Sequence, residues 1–162
     1  MQGEASSRVS WTLILFLVVL HLFLRLTLGY GQSAPDFFAV ALLLAAREVN
    51  IGTGSFLGLL LGILEDGFSV MSFGAHAFSF SVLGLVSGRI RNIFVGDSAV
   101  FMAAYFFLGK FLRDLLYWLA VGKVARDPFI SIFLPDALVA ATYVGLVGVS
   151  VSMLSEMTSR RI

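Results

Sequence analysis

Asn50-Ile51-Gly52-Thr53-Gly54-Ser55-Phe56-Leu57-Gly58-Leu59-Leu60-Leu61-Gly62-Ile63-Leu64-Glu65-Asp66-Gly67 decides the fold: an apolar run in which glycine returns at 54, 58 and 62 before two acids end it. Residues four apart share one face of an α-helix. Two overlapping small-xxx-small steps on an apolar helix let a neighbouring backbone come close, which is how helices associate in lipid. Asp66 continues the spacing at the end of the run. A membrane β-barrel would need alternating segments of about ten residues. The unbroken apolar stretch from Leu13 to Leu20 does not alternate, so strands are excluded.

The rest of the chain has the same character. Of its 162 residues 59% are hydrophobic and 13% charged, with a mean hydropathy of +0.96, whereas a soluble domain is nearer about half apolar and a quarter charged. This is the composition of a membrane protein. Eleven Lys and Arg against ten Asp and Glu leave a net charge of +1, which offers no basic stripe for phosphates, so nucleic acid is excluded as a partner. The absence of cysteine, with only His21 and His76 as histidines, removes disulfides and thiolate metal sites and leaves too few imidazoles for a histidine-based one. No metal or cofactor is expected.

A span takes roughly 20 residues to cross about 30 Å of hydrocarbon. The sequence therefore predicts one all-α transmembrane domain over 1–162, a bundle of about six helices at 9–28, 35–46, 52–64, 73–90, 98–121 and 129–157. The first follows Arg8 and ends without a small-residue cleavage site, the pattern of a retained anchor. Pro35 is placed to open the second, where a first-turn proline forfeits no hydrogen bond, and Pro135 to kink the sixth. The second and third are short for a full crossing. With the amino terminus inside, Arg8, Arg47, Arg89, Arg91, Arg160 and Arg161 fall in the cytoplasm and Lys123 and Arg126 outside, so the positive-inside rule puts both termini in the cytoplasm.

Small residues mark the contact faces. Besides Gly54, Gly58 and Gly62, the fourth segment carries Gly74, Ala77, Ser81, Gly84 and Gly88 at steps of three and four, and the sixth carries Ala137, Ala141, Gly145, Gly148 and Ser152. Bundle packing explains these stripes; a glycine-lined ligand cavity is the alternative. The first segment, built of Leu, Val, Ile and Phe, suits lipid or the helix of another protein.

Charge inside the membrane is costly and faces the bundle interior or a partner. Lys110, Arg113, Asp114 and Tyr117 follow i, i+3, i+4, i+7 on one helical face. Lys110 can pair with Asp114; Asp136 and Asp66 are candidate partners for Arg113. Arg25, one turn above His21, can join them or snorkel to the interface. These seven residues, Lys110, Arg113, Asp114, Tyr117, Asp136, Asp66 and Arg25, form the candidate polar or partner face. A structural ion-pair network, snorkelling and a proton or substrate relay all remain open for it. No catalytic set accompanies it: Glu65 and Asp66 are neighbours whose side chains diverge, suited to stopping a helix, and His76 lacks a nucleophile elbow. No phosphate-binding loop occurs. The chain reads as a non-enzyme.

Between Pro35 and Arg91 the chain carries in succession Pro35-Asp36, Asn50-Ile51-Gly52-Thr53-Gly54, then Gly58, Gly62, Asp66 and Phe73-Gly74-Ala75. In their order and spacing these residues resemble MreD, the small integral membrane protein of bacterial rod-shape determination, with Lys110 to Trp118 a weaker match. Glu65 and His76 depart from that pattern, and no role is carried onto them. The resemblance implies a scaffold of the cell-elongation complex in the bacterial cytoplasmic membrane. It would be held beside a bitopic MreC-like protein, among membrane lipids, and linked directly or indirectly to the elongation transpeptidase and glycosyltransferase and to cytoskeletal filament proteins. The family also resembles in fold the six-helix substrate-binding subunits of energy-coupling-factor vitamin transporters, so a vitamin-binding subunit is the alternative function.

Overall fold

Among the described residues six α-helices form on the six apolar segments. The computed structural model describes residues 3–28, 36–69, 72–90, 98–123 and 128–159, with side chains over 11–27, 36–69, 72–90, 98–123 and 128–154. In chain order the helices are α1 (Gly3–Leu28), α2 (Phe37–Glu48), α3 (Ile51–Asp66), α4 (Ala75–Ile90), α5 (Ala99–Ala120) and α6 (Leu134–Ser159), and no strand occurs among the described residues.

Local chemistry sets the ends. Asp36 is the N-cap of α2, its side chain accepting the Ala39 N–H at 3.0 Å, so the helix starts one residue beyond it. Pro35, expected as the first-turn residue, lies outside the described residues. Asn50 caps α3 in the same way through the Thr53 N–H at 2.8 Å. Such caps satisfy N–H groups that have no partner inside the helix. Glu65 and Asp66, expected to stop α3, belong to its last turn, and Gly67 follows as its C-cap. The fourth segment, expected from Phe73, becomes helical only at Ala75, because Gly74 holds φ +93°, a left-handed conformation that glycine adopts without strain. Before α6, Phe129–Phe133 form one wide π-helical turn in which the Leu134 N–H reaches back to the Phe129 carbonyl. Pro135 has no N–H to continue the ladder at this point, so the irregularity sits where a proline kink was expected.

The arrangement is a ring around α2. This helix touches each of the other five; α1 packs on α6, α3 on α4, α4 on α5 and α5 on α6. Nine consecutive α2 residues, Phe38 to Ala46, are buried, as an apolar helix without a polar face requires. Phe38 to Ala45 make the main core with Leu17, Phe80, Leu83, Phe106 and Val144. A second apolar cluster of Trp118, Phe133 and Ala137 joins α5 to the start of α6.

Length separates the helices. The 12 residues of α2 and the 16 each of α3 and α4 rise only about 18 and 24 Å at 1.5 Å per residue. Among the described residues one helix, Phe129–Leu154, is long and apolar enough alone to cross a membrane, with only a third of its apolar window buried; the apolar part of α1, Trp11–Thr27, is shorter. The 22 residues of α5 have the length but include Lys110, Arg113 and Asp114.

Candidate functional site

The α3–α4 pair is where the small residues meet. A Cβ on Gly54 would lie 2.9 Å from the Gly84 carbonyl oxygen, and one on Gly84 would collide with the Gly54 carbonyl. Gly58 faces the Phe80 carbonyl, Gly62 the backbone of His76 and Ala77, and a Gly88 Cβ would stand 3.1 Å from Ile51 Cα. Ser55 and Ser81 hydroxyls share a hydrogen bond of 3.0 Å across the same seam. Gly74 is not part of the packing: nothing lies within 4 Å of its Cβ position, and its role is the turn. Two tight glycines outside the α3–α4 seam are Gly148 of α6, against the Phe106 ring, and Gly109 of α5, whose Cβ would stand 2.6 Å from Leu43 Cδ2.

This packing brings α4 close enough to α5 to close a layer of buried charge at the N-terminal end of α2. Lys110 Nζ lies 2.9 Å from Asp36 Oδ2 and 2.6 Å from Asp114 Oδ1. Arg113 donates through Nη1 to Asp114 Oδ1 at 2.9 Å, and its Nε stands 3.7 Å from Asp36 Oδ2. Its Nη2 is 2.7 Å from His76 Nδ1. A guanidinium has donors only, so Nδ1 accepts and the imidazole is the neutral tautomer with its proton on Nε2. The His76 ring stacks on Tyr117 with centroids 4.3 Å apart, and Tyr117 Oη shares a 3.0 Å hydrogen bond with Ser72. Arg113 also lies over the Phe80 ring at 4.7 Å, a cation–π contact that offsets part of its desolvation.

A second group joins α1 to α3. Glu65 Oε1 is 2.6 Å from Arg25 and Oε2 is 3.1 Å from His21 Nε2; His21 stacks on Phe38 of α2 at 4.1 Å. The two groups meet through Asp66, next to Glu65. Its Oδ1 accepts the His76 N–H at 3.1 Å and its Oδ2 the Ala77 N–H at 2.9 Å. A carboxylate of one helix thus caps another, where the α4 dipole favours negative charge.

The structure therefore brings Lys110, Arg113, Asp114, Tyr117, Asp66 and Arg25 into or beside one layer and leaves Asp136 out. Asp136 is exposed on α6, and the acid facing Arg113 and Lys110 is Asp36. Lys110 and Arg113 are buried and turned into the bundle, so the polar face of α5 is not an outer surface for a partner. The side chains of Glu65 and Asp66 diverge, but each takes a separate partner in the interior. Glu65, His76, His21 and Asp36 were absent from the sequence candidates. The Asp-Phe-Phe-Ala capping pattern was a signal for Asp36; none in the sequence marked the others as one cluster.

Chemically the layer is suited to fixing helices. In their charged forms Lys110 and Arg113 offer donors and no acceptor, each donating to carboxylates of the layer, and Ser79 spends its hydroxyl on the His76 carbonyl. Among the described residues no group of His, Asp and Glu converges as a metal site. No protein-family model matches the chain, and no curated protein or solved structure matches it.

Proposed function

We propose that this chain is a polytopic membrane bundle acting as a non-enzymatic scaffold of the bacterial cell-elongation complex, an MreD-like subunit that holds an MreC-like partner beside the wall-synthesis enzymes. The observation that carries the membrane part is the reversal of inside and outside. Buried positions hold Glu65, Asp66, His76, Lys110 and Arg113, while large apolar side chains face outward on every helix but α2, among them Val100 at 76% exposure, Leu26 at 70% and Leu146 at 68%. Water would not tolerate so continuous an apolar exterior on a soluble domain, whereas lipid favours it and drives charge inward.

The scaffold part is supported by the succession of motifs from Pro35 to Arg91 and by a polar layer whose members bind one another. In this reading the partner helix lies against α1, which is supported by the exposed ridge of Leu15, Phe16, Val19, Phe23 and Leu26. Both termini lie in the cytoplasm in this reading. The test is to purify the chain in mild detergent with and without an MreC-like bitopic protein, measuring co-elution and binding to a panel of vitamins. Stoichiometric co-elution that Phe23→Ala weakens supports the scaffold. Stoichiometric vitamin binding with no association would replace it with the transporter-subunit function.

A further inference from the structure

Arg47 is a cation that the buried layer does not account for. Arg25, Lys110 and Arg113 each reach a carboxylate. Arg47, half-buried in the last turn of α2, reaches none among the described residues. Its Nη1 instead donates to the Met102 sulfur of α5 at 3.8 Å. A thioether is a weak acceptor, and a guanidinium carries five donors, so most of its hydrogen-bonding capacity is unused. The C-terminal dipole of α2 favours a cation here, but the side chain lies across to α5 and, among the described residues, takes no carbonyl of its own helix.

The surroundings of this guanidinium are of two kinds. On one side is charge. Gly88 lies against Ile51, which sets Arg89 of α4 beside the short link from α2 to α3. Arg89 and Glu48 are both exposed and without an ion pair among the described residues, so the two arginines exceed the one acid at this end. Arg91 and Asp97, of opposite sign, lie outside the described residues. On the other side is apolar surface. Beyond Met102, α5 turns outward a strip that includes Phe101 and Leu108, 56% and 53% exposed and two turns apart on one face.

A phospholipid with an anionic headgroup matches both sides at once. Its phosphate takes the unused guanidinium donors in charge-assisted hydrogen bonds, and its acyl chains lie along the α5 strip. A soluble anion would satisfy only the first. The positive-inside rule puts the Arg47 end in the cytoplasm, where the leaflet's anionic lipids attract basic residues at the membrane surface. Resting on the membrane reading above, we propose that Arg47, with Arg89 beside it at the same end, holds the phosphate of an anionic phospholipid of the cytoplasmic leaflet against the start of α5.

The test uses the whole chain in dioleoyl phosphatidylcholine vesicles carrying a trace of nitroxide-labelled phosphatidylglycerol or phosphatidylcholine, with the motionally restricted fraction of each read by electron spin resonance. Phosphatidylglycerol is expected to be preferred about fivefold, the effect of one basic residue near an anionic surface. Arg47→Gln should remove most of that preference and Arg47→Lys, which keeps the charge, should retain most of it. Arg89→Gln should lower it less, and Lys123→Gln, past the opposite end of α5, should leave it unchanged. Equal restriction of both lipids by the unaltered chain, a measurement that needs no variant to fold, overturns the site. Equal losses in Arg47→Gln and Arg89→Gln also overturn it, since they mark diffuse surface charge, and either result leaves the membrane reading intact. Absence of a restricted fraction for both lipids removes the two together.

Discussion

Gly54 and Gly84 occupy each other's side-chain space: the Cβ that either lacks would fall on or near the carbonyl oxygen of the other. The α3 and α4 backbones are in direct contact there, and the same holds one and two turns along, at Gly58 and Gly62. Neither carbonyl can move away without breaking the hydrogen-bond ladder of its own helix, so the contact is less forgiving than one between flexible side chains.

Gly58→Ala is accordingly expected to destabilise by at least the 1–3 kcal/mol typical of overpacking, since its Cβ meets the Phe80 carbonyl, and Gly58→Leu to abolish the folded protein. Leu60→Phe, at a position exposed on the same helix, should change little. Thermal unfolding in detergent, followed by monodisperse elution, separates the two. Equal tolerance of Gly58→Leu and Leu60→Phe would contradict the seam.

Asp36 holds two cations and a helix start at once. Asp36→Ala removes the Ala39 cap, a loss of about 1 kcal/mol, and also leaves Lys110 and Arg113 facing each other with Asp114 alone between them. Stranding a buried charge costs about 3–5 kcal/mol in soluble cores. The total loss is expected to exceed that of a cap several-fold, and adding Lys110→Met should restore part of it. A double variant no more stable than Asp36→Ala would show that Lys110 is not the group left stranded.

The elements legible in the sequence are those fixed by local spacing. The α3 seam follows from glycine every fourth residue, and the Lys110–Asp114 pair follows from i, i+4 geometry on one helix. What α2 does was not legible, because a short apolar run looks alike in sequence whether lipid or five helices surround it. Only its lack of any polar face between Phe38 and Ala46 pointed inward. Asp36 reaches Lys110 across 74 positions, and His76 meets Arg113 only because Gly62 lets α4 lie against α3. Asp136, a candidate from its place near the outer start of the sixth segment, is not the partner of Arg113 because the π-helical turn and α6 carry it to the exterior.

The cap supplied by Asp66 depends on two acceptor oxygens. Asp66→Asn replaces one with an amide NH₂, which cannot accept, so the N–H of His76 or Ala77 loses its partner in a buried place, at a cost of about 1–3 kcal/mol. Asp136→Asn, exposed, should stay within about 0.5 kcal/mol. Hydrogen exchange at His76 and Ala77 should rise in Asp66→Asn alone. Unchanged protection there would mean that the carboxylate does not cap α4.

His76 is expected to serve as an acceptor, not as a cation. His76→Gln, whose carbonyl oxygen can take the Arg113 Nη2 proton, should keep most of the stability, whereas His76→Lys, which places a second donor cation where Arg113 now donates at 2.7 Å, should lose several kcal/mol, as breaking a buried charge partnership does. If His76→Lys were as stable as His76→Gln, the Arg113 contact would not be part of what holds α4 to α5.

Topology follows from which groups share an end of the bundle. Glu48 closes α2 near the start of α3, whereas Gly67 follows α3 at its opposite end, and the basic residues Arg47 and Arg89 lie at the Glu48 end. Positive charge is retained in the cytoplasm, so Glu48→Cys should react with an impermeant maleimide only after the membrane is opened, and Gly67→Cys in intact cells. Both positions are exposed, so failure to label cannot be put down to burial. The reverse pattern would invert the bundle, turning the Asp36–Arg113 layer toward the cytoplasm.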